Sequence, residues 1–203
     1  MTPGTYVPMA PRVGLDREAV VAAAVAIIDY EGVPALSLAR VAKEVGVRAP
    51  SLYVHVDGMG DLRRALCLFA VADLGEALRG SVMGRSGEDA LVAFAEAYRG
   101  YSRKYPGRYE LTMQPPLPID DEMRKVYLRA LEPFNAIVQS WGLDAVTAKH
   151  FGRAVRSGIH GFVLLEAAGS FRNKDAEESF RQMLAMLVAG VTLDRRVLTP
   201  KAV

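Results

Sequence analysis

The run Ser37-Leu38-Ala39-Arg40-Val41-Ala42-Lys43-Glu44-Val45-Gly46-Val47-Arg48-Ala49-Pro50-Ser51-Leu52-Tyr53 leaves the chain few choices. Ser37 has the chemistry of an N-cap, and Leu38, Val41, Ala42 and Val45 recur at offsets of three, four and seven, the signature of a short amphipathic helix. Gly46 ends that helix after about two turns by supplying a left-handed backbone. Pro50 restarts helix almost at once, because a first turn tolerates its fixed φ and missing N–H. Two helices this short and this close must cross steeply. Ala42 is small where they meet, Val45 and Val47 face inward and Leu52 anchors the second helix to the first. Ala49, Pro50, Ser51, Tyr53 and Val54 are left pointing outward.

A pair of this kind needs other helices to bury its apolar face. Upstream, from Asp16, the residues Val20, Ala24, Ile27 and Ile28 share one helical face until Gly32 and Pro34 stop it. Downstream, Asp57, Gly58 and Gly60 lead into a longer helix carrying Leu62, Leu66, Phe69, Ala70, Leu74 and Leu78, which closes the small bundle and leaves it. Gly80, Gly84 and Gly87, with Ser81 and Ser86, read as a junction. Helical periodicity then predicts helices over 88–105, 121–141, 144–168 and 175–193, with Pro133 kinking or splitting the second. No stretch alternates as a strand would, so the expected class is all-α. The expected organisation is a proline- and glycine-bearing arm over 1–14, a helix-turn-helix unit with its connecting helix over 15–80, and a larger helical unit over 81–203.

A hydrophobic content of 51% over 203 residues is ample for packed cores and excludes a disordered chain. Bulk charge selects no partner. The formal net charge is +2, and in residues 1–65 Arg12, Arg17, Arg40, Lys43, Arg48, Arg63 and Arg64 are offset by Asp16, Glu18, Asp29, Glu31, Glu44, Asp57 and Asp61. A single cysteine, Cys67, forms no disulfide within the chain and no zinc cluster; set among Leu66, Leu68 and Phe69, it reads as a small buried apolar side chain. The apolar run 19–28 is bracketed by acids and too short to span a bilayer, so a cytoplasmic protein with no membrane contact is expected. Catalytic patterns are missing as well: no glycine-serine-glycine elbow, no phosphate-cradling loop and no paired-histidine helix. His150 and His160 are ten residues apart, off one helical face, and His55 lies in another segment. No catalytic residue, metal ligand or cofactor is expected.

A short helix that opens on small and hydroxylated residues can enter a DNA major groove closely, Ser51 bonding base or phosphate and Tyr53 bonding phosphate. Over roughly residues 16–70, and above all through Ala49-Pro50-Ser51-Leu52-Tyr53 followed by His55 and Val56, the chain resembles the tetracycline-repressor (TetR) family. The resemblance implies base contacts from Ala49, Pro50, Ser51 and Val54 and phosphate contacts from Ser37, Tyr53 and His55, with Arg40 and Arg48 as further contacts. Two departures stand out. Met59 occupies the place where members often carry a phosphate-clamping lysine, leaving Arg63 or Arg64 one turn later as substitutes, and Val54 replaces a frequent bulky aromatic.

The remainder resembles the family's C-terminal domain in architecture and in one local pattern, Trp141-Gly142 with His160-Gly161-Phe162, similar to the tryptophan-histidine-glycine subset. This implies a unit that dimerises and binds an effector. The last two helices, carrying Gly158, Gly161 and Ala167 on one and Phe180, Met183, Leu184, Leu187, Val188 and Val191 on the other, are the expected homodimer interface, unless both stripes are monomer core. Tyr98, Tyr101, Met113, Trp141 and His160 are the expected lining of a pocket for a small apolar or aromatic effector, with a plain core role open for each. The function so implied is that of a ligand-responsive transcriptional regulator, a repressor released from palindromic double-stranded operator DNA by its effector. The alternative is a helical small-molecule sensor or interaction module whose DNA binding has degenerated.

Overall fold

The computed structural model describes residues 14–114, 118–171 and 175–193; the arm, with Arg12, and the side chain of Val191 lie outside them. Among the described residues the chain is helical throughout, with no strand. α1 spans Arg17–Glu31, α2 Leu38–Val45, α3 Ala49–Leu52, α4 Gly58–Val82, α5 Gly87–Lys104, α6 Pro106–Met113, α7 Asp121–Ser140, α8 Ala145–Ala167 and α9 Ala176–Leu193. By contacts the chain divides into two compact units: one gathers residues up to Ala72 with Tyr105–Val126, the other Asp73–Lys104 with the chain from Tyr127 onward. Both α4 and α7 contribute to each unit.

In the first unit the helix boundaries follow local chemistry. The Asp16 side chain accepts a hydrogen bond from Ala19 N at 2.7 Å and caps α1, which buries Val20, Ala23, Ala24, Ile27 and Ile28 before Gly32, at φ 84°, ends it. Pro34 lies in a 3-10 turn, Val33–Ala35. The Ser37 hydroxyl caps α2 by accepting from Arg40 N at 3.1 Å. At its other end Gly46 takes φ 74°, ψ 27°, and Val47 N reaches back to Ala42 O at 3.0 Å, a glycine-terminated helix end. Val20, Ile27, Ile28, Val41, Leu52, Leu62 and Leu66 form one core, on which Met59 packs half-buried.

α6 was not expected. Pro106-Gly107 reads in sequence as a turn signal, yet Pro106 occupies the first turn of a helix and Gly107 is where that helix meets α1. A Cβ on Gly107 would lie 2.5 Å from Ile28 Cγ2 and 2.8 Å from Ile28 O, so only glycine admits this approach. Arg108 then clamps Asp29 at 2.5 Å and stacks over the rings of Tyr105 and Phe69. Cys67 is fully buried, its thiol donating to Leu111 O. Arg64 is held by Asp120 and Glu122, each at 2.6 Å.

In the second unit, α7 runs unbroken through Pro133. A Cβ on Gly75 would come within 2.9 Å of Ala130 Cα, which marks the close crossing of α4 and α7. Gly158, expected to admit a partner helix, instead faces its own chain: a Cβ there would sit 3.3 Å from Leu187 Cδ1 of α9. At the centre is Arg99, only 1% exposed. Its guanidinium bonds Glu166 at 2.7 Å and Glu177 at 2.9 Å and lies over the Phe180 and Phe162 rings, joining α5, α8 and α9. Bonded to Arg99 and also to Arg103, Glu166 has its carboxyl held down to about 2, and this pairing is what lets a charge be buried.

Candidate nucleic-acid interface

α2 and α3 together present a small, solvent-facing surface. Leu52 is fully buried against the α1–α2 core and fixes the roll of α3, while its neighbours Ser51, Tyr53 and Val54 project outward, Tyr53 61% and Val54 83% exposed. An apolar side chain so exposed beside a hydroxyl and a phenol finds no packing explanation within the chain. Pro50 is exposed in the first turn; Ala49, expected outward, is half-buried, packed against the core. His55 is half-buried in the turn after α3, its N–H donating to Leu52 O at 2.8 Å.

The expected cations fare differently. Arg48 is exposed at the α3 N-cap, and Lys43 is exposed on the last turn of α2. Arg40 holds Glu31 at 2.5 Å and Glu44 at 2.8 Å and so ties α2 to α1; any phosphate contact would come in addition to that bracing. The Ser37 oxygen is engaged as an acceptor in its cap, which leaves O–H donation as its means of reaching a phosphate. Arg64, one of the two substitutes for a clamp near Met59, is committed to Asp120 and Glu122, whereas Arg63 is exposed. Internal pairing accounts for much of the balanced charge of this region. Asp29, Glu31, Glu44 and Asp61 are each bonded to an arginine, while Lys43 and Arg48 stand on the helix-turn-helix itself.

One positioning residue gave no local signal. Arg17 donates to His55 O at 3.0 Å and makes a bidentate pair with Asp61 at 2.5 and 2.7 Å, joining the start of α1, the end of the α3 turn and the first turn of α4. Its partners are 38 and 44 residues away. The Arg17 hydrogen bond holds the Asp61 carboxyl down to about 2.

Of the expected effector residues, the structure brings Tyr98 and His160 together, Tyr98 Oη lying 3.4 Å from His160 Nδ1. Burial, aided by the charge of Arg156, lowers the pKa of His160 and keeps the ring neutral near pH 7. Tyr101 instead donates to Asp73 at 2.8 Å, and Trp141 stands edge-on to Phe151 at 5.2 Å. Met113, on α6, groups with the first unit.

Comparison with known proteins relates the chain to transcriptional regulators. A family model described as "Tetracyclin repressor-like, C-terminal domain" matches residues 91–187. The chain is 37% identical over 178 residues to the uncharacterized HTH-type transcriptional regulator Rv0681 of Mycobacterium tuberculosis, covering 87% of this chain and 82% of that one. It is 31% identical over 191 residues to the uncharacterized HTH-type transcriptional regulator YobS of Bacillus subtilis, covering 93% and 98%. Among solved structures, a protein of unknown function from Rhodococcus sp. RHA1 superposes with a TM-score of 0.75 at 20% identity, over 88% of this chain and 96% of that one, a likeness of fold.

Proposed function

This chain belongs to the TetR family of helix-turn-helix transcriptional regulators, and from that premise we propose that it is a dimeric repressor released from its operator by a small effector. The observation that carries the DNA-reading part is the exposure of Ser51, Tyr53 and Val54 on a short helix whose roll is fixed by buried Leu52. In this reading Pro50, Ser51 and Val54 meet base edges, Val54 matching a thymine methyl, and Ala49 lets the backbone approach. Ser37, Tyr53, His55 and Arg48 bind phosphate, with Arg40 bracing α2.

Dimerisation through α8 and α9 is supported by exposed Leu164 and Leu165 on one and Met186, 69% exposed, on the other. Small residues accompany them: Ala154, Ser157 and Ala168 on the α8 side, Ala185 and Gly190 on α9, all exposed. Two recognition helices would then face two half-sites about one helical turn apart. The Tyr98–His160 pair, part-buried and polar beside the Phe94 ring, supports an effector site there. An effector that favours a state with altered half-site spacing releases the DNA.

Ser51→Ala with Tyr53→Ala tests this reading. The double variant is expected to lose specific binding to the DNA upstream of its own gene in a gel shift while its unfolding midpoint and dimer mass by light scattering stay unchanged. Undiminished specific binding by the variant would refute the assignment of α3.

A further inference from the structure

We infer that the groove between α7 and α8 is a binding site for a small organic anion with an apolar body. The groove is open to solvent and has a volume of about 590 Å³, within the range of small-molecule pockets. Its floor is Leu131, Phe134 and Val138 of α7. Gly152 keeps that floor open, since a Cβ there would press to 3.3 Å from Phe134 Cε1. Its edge is Lys149, Arg153 and Arg156, spaced at i, i+4 and i+7 on one face of α8 and all exposed.

Every charged residue lining the groove is a cation. Asp144, the acid that begins α8, is committed to its cap, accepting from Val146 N, Thr147 N and Thr147 Oγ1. Exposed cations alone hold an anion weakly, because water screens them, and an apolar floor alone does not discriminate among ligands. Together they select an amphipathic anion, whose tail is taken from water by Phe134 and Val138 while its head meets three positive charges. None of these lining residues is among the expected effector contacts, and the inference stands whether or not the chain represses transcription.

Titration calorimetry on the full chain tests it, with octanoate as the anionic probe and 1-octanol as its uncharged counterpart. Octanoate is expected to bind once per chain, about tenfold or more tighter than octanol, and to lose about tenfold in affinity in the triple variant Lys149→Gln, Arg153→Gln, Arg156→Gln. Ala148→Trp, which fills the groove and leaves its charge, is expected to weaken both probes. Equal affinity for the two probes, undiminished octanoate binding by either folded variant, or no octanoate binding below about 1 mM would overturn the proposal. So would charge-dependent co-sedimentation with phosphatidylglycerol vesicles without octanoate binding, which would make the stripe a membrane-facing patch instead.

Discussion

At the scale of single residues, Gly107 and Arg99 each hold a defined place in the packing. Gly107 is required by a steric argument that names its atoms: the β-carbon of alanine would meet both the side chain and the carbonyl of Ile28. Gly107→Ala is therefore expected to destabilise the first unit by about 1–3 kcal/mol, read as a lower urea midpoint; an unchanged midpoint would show that α6 can shift without loss. The Arg99–Glu166 pair makes a prediction about acid. The Glu166 carboxyl lies at about 2 when folded, below its ordinary 4.5, so its contribution is complete above about pH 4.5 and is lost as pH falls through the folded value. Thermal midpoints of the parent are expected to fall between about pH 4.5 and 2, and Glu166→Gln to be less stable than the parent at pH 7 with a shallower acid limb. Superimposable acid limbs would remove Glu166 from the account.

At the scale of elements, α3 is the clearest case of position without intrinsic stability. Four residues cannot hold a helix in water, so its presentation depends on Leu52 below and on Arg17 at its end. Leu52→Ala is expected to cost about 2–5 kcal/mol, measured by urea unfolding. Arg17→Ala removes a part-exposed bracket, and is expected to weaken operator binding more than it lowers stability; the reverse ordering would make Arg17 merely structural. This element was legible in the sequence because its signals are local: the Ser37 cap, the left-handed Gly46, Pro50 in a first turn and Leu52 in register. α5 and α7 to α9 were legible for the same reason, through periodicity. α6 was not, because Pro106-Gly107 carries the chemistry of a turn and becomes a helix start only against Ile28. Nor was the bracing by Arg17, Arg40, Arg64 and Arg99, since most of these pairs join residues far apart in the chain, and composition sees only that their charges cancel. For the same reason the sequence could group Tyr98, Tyr101, Trp141 and His160 but not show that Tyr98 meets His160 while Tyr101 bonds Asp73 and Trp141 meets Phe151.

At the scale of the whole molecule, selective operator reading needs two copies, since one α3 reads only a few base pairs. Met186→Lys, with its charge on the exposed face of α9, is expected to lower the dimer fraction in light scattering and to weaken operator binding in parallel; full dimer retention would move the interface away from α9. The claim on which the rest depends is that the α2–α3 surface reads DNA. Its most direct measurement is the affinity of the folded chain for its own upstream DNA, against a scrambled duplex of the same length, at 50 and 200 mM salt. Specific binding is expected to weaken by about a hundredfold or more across that range as phosphates recover their counterions. A folded dimer that shifts neither duplex at the lower salt, or binds both alike, would contradict it.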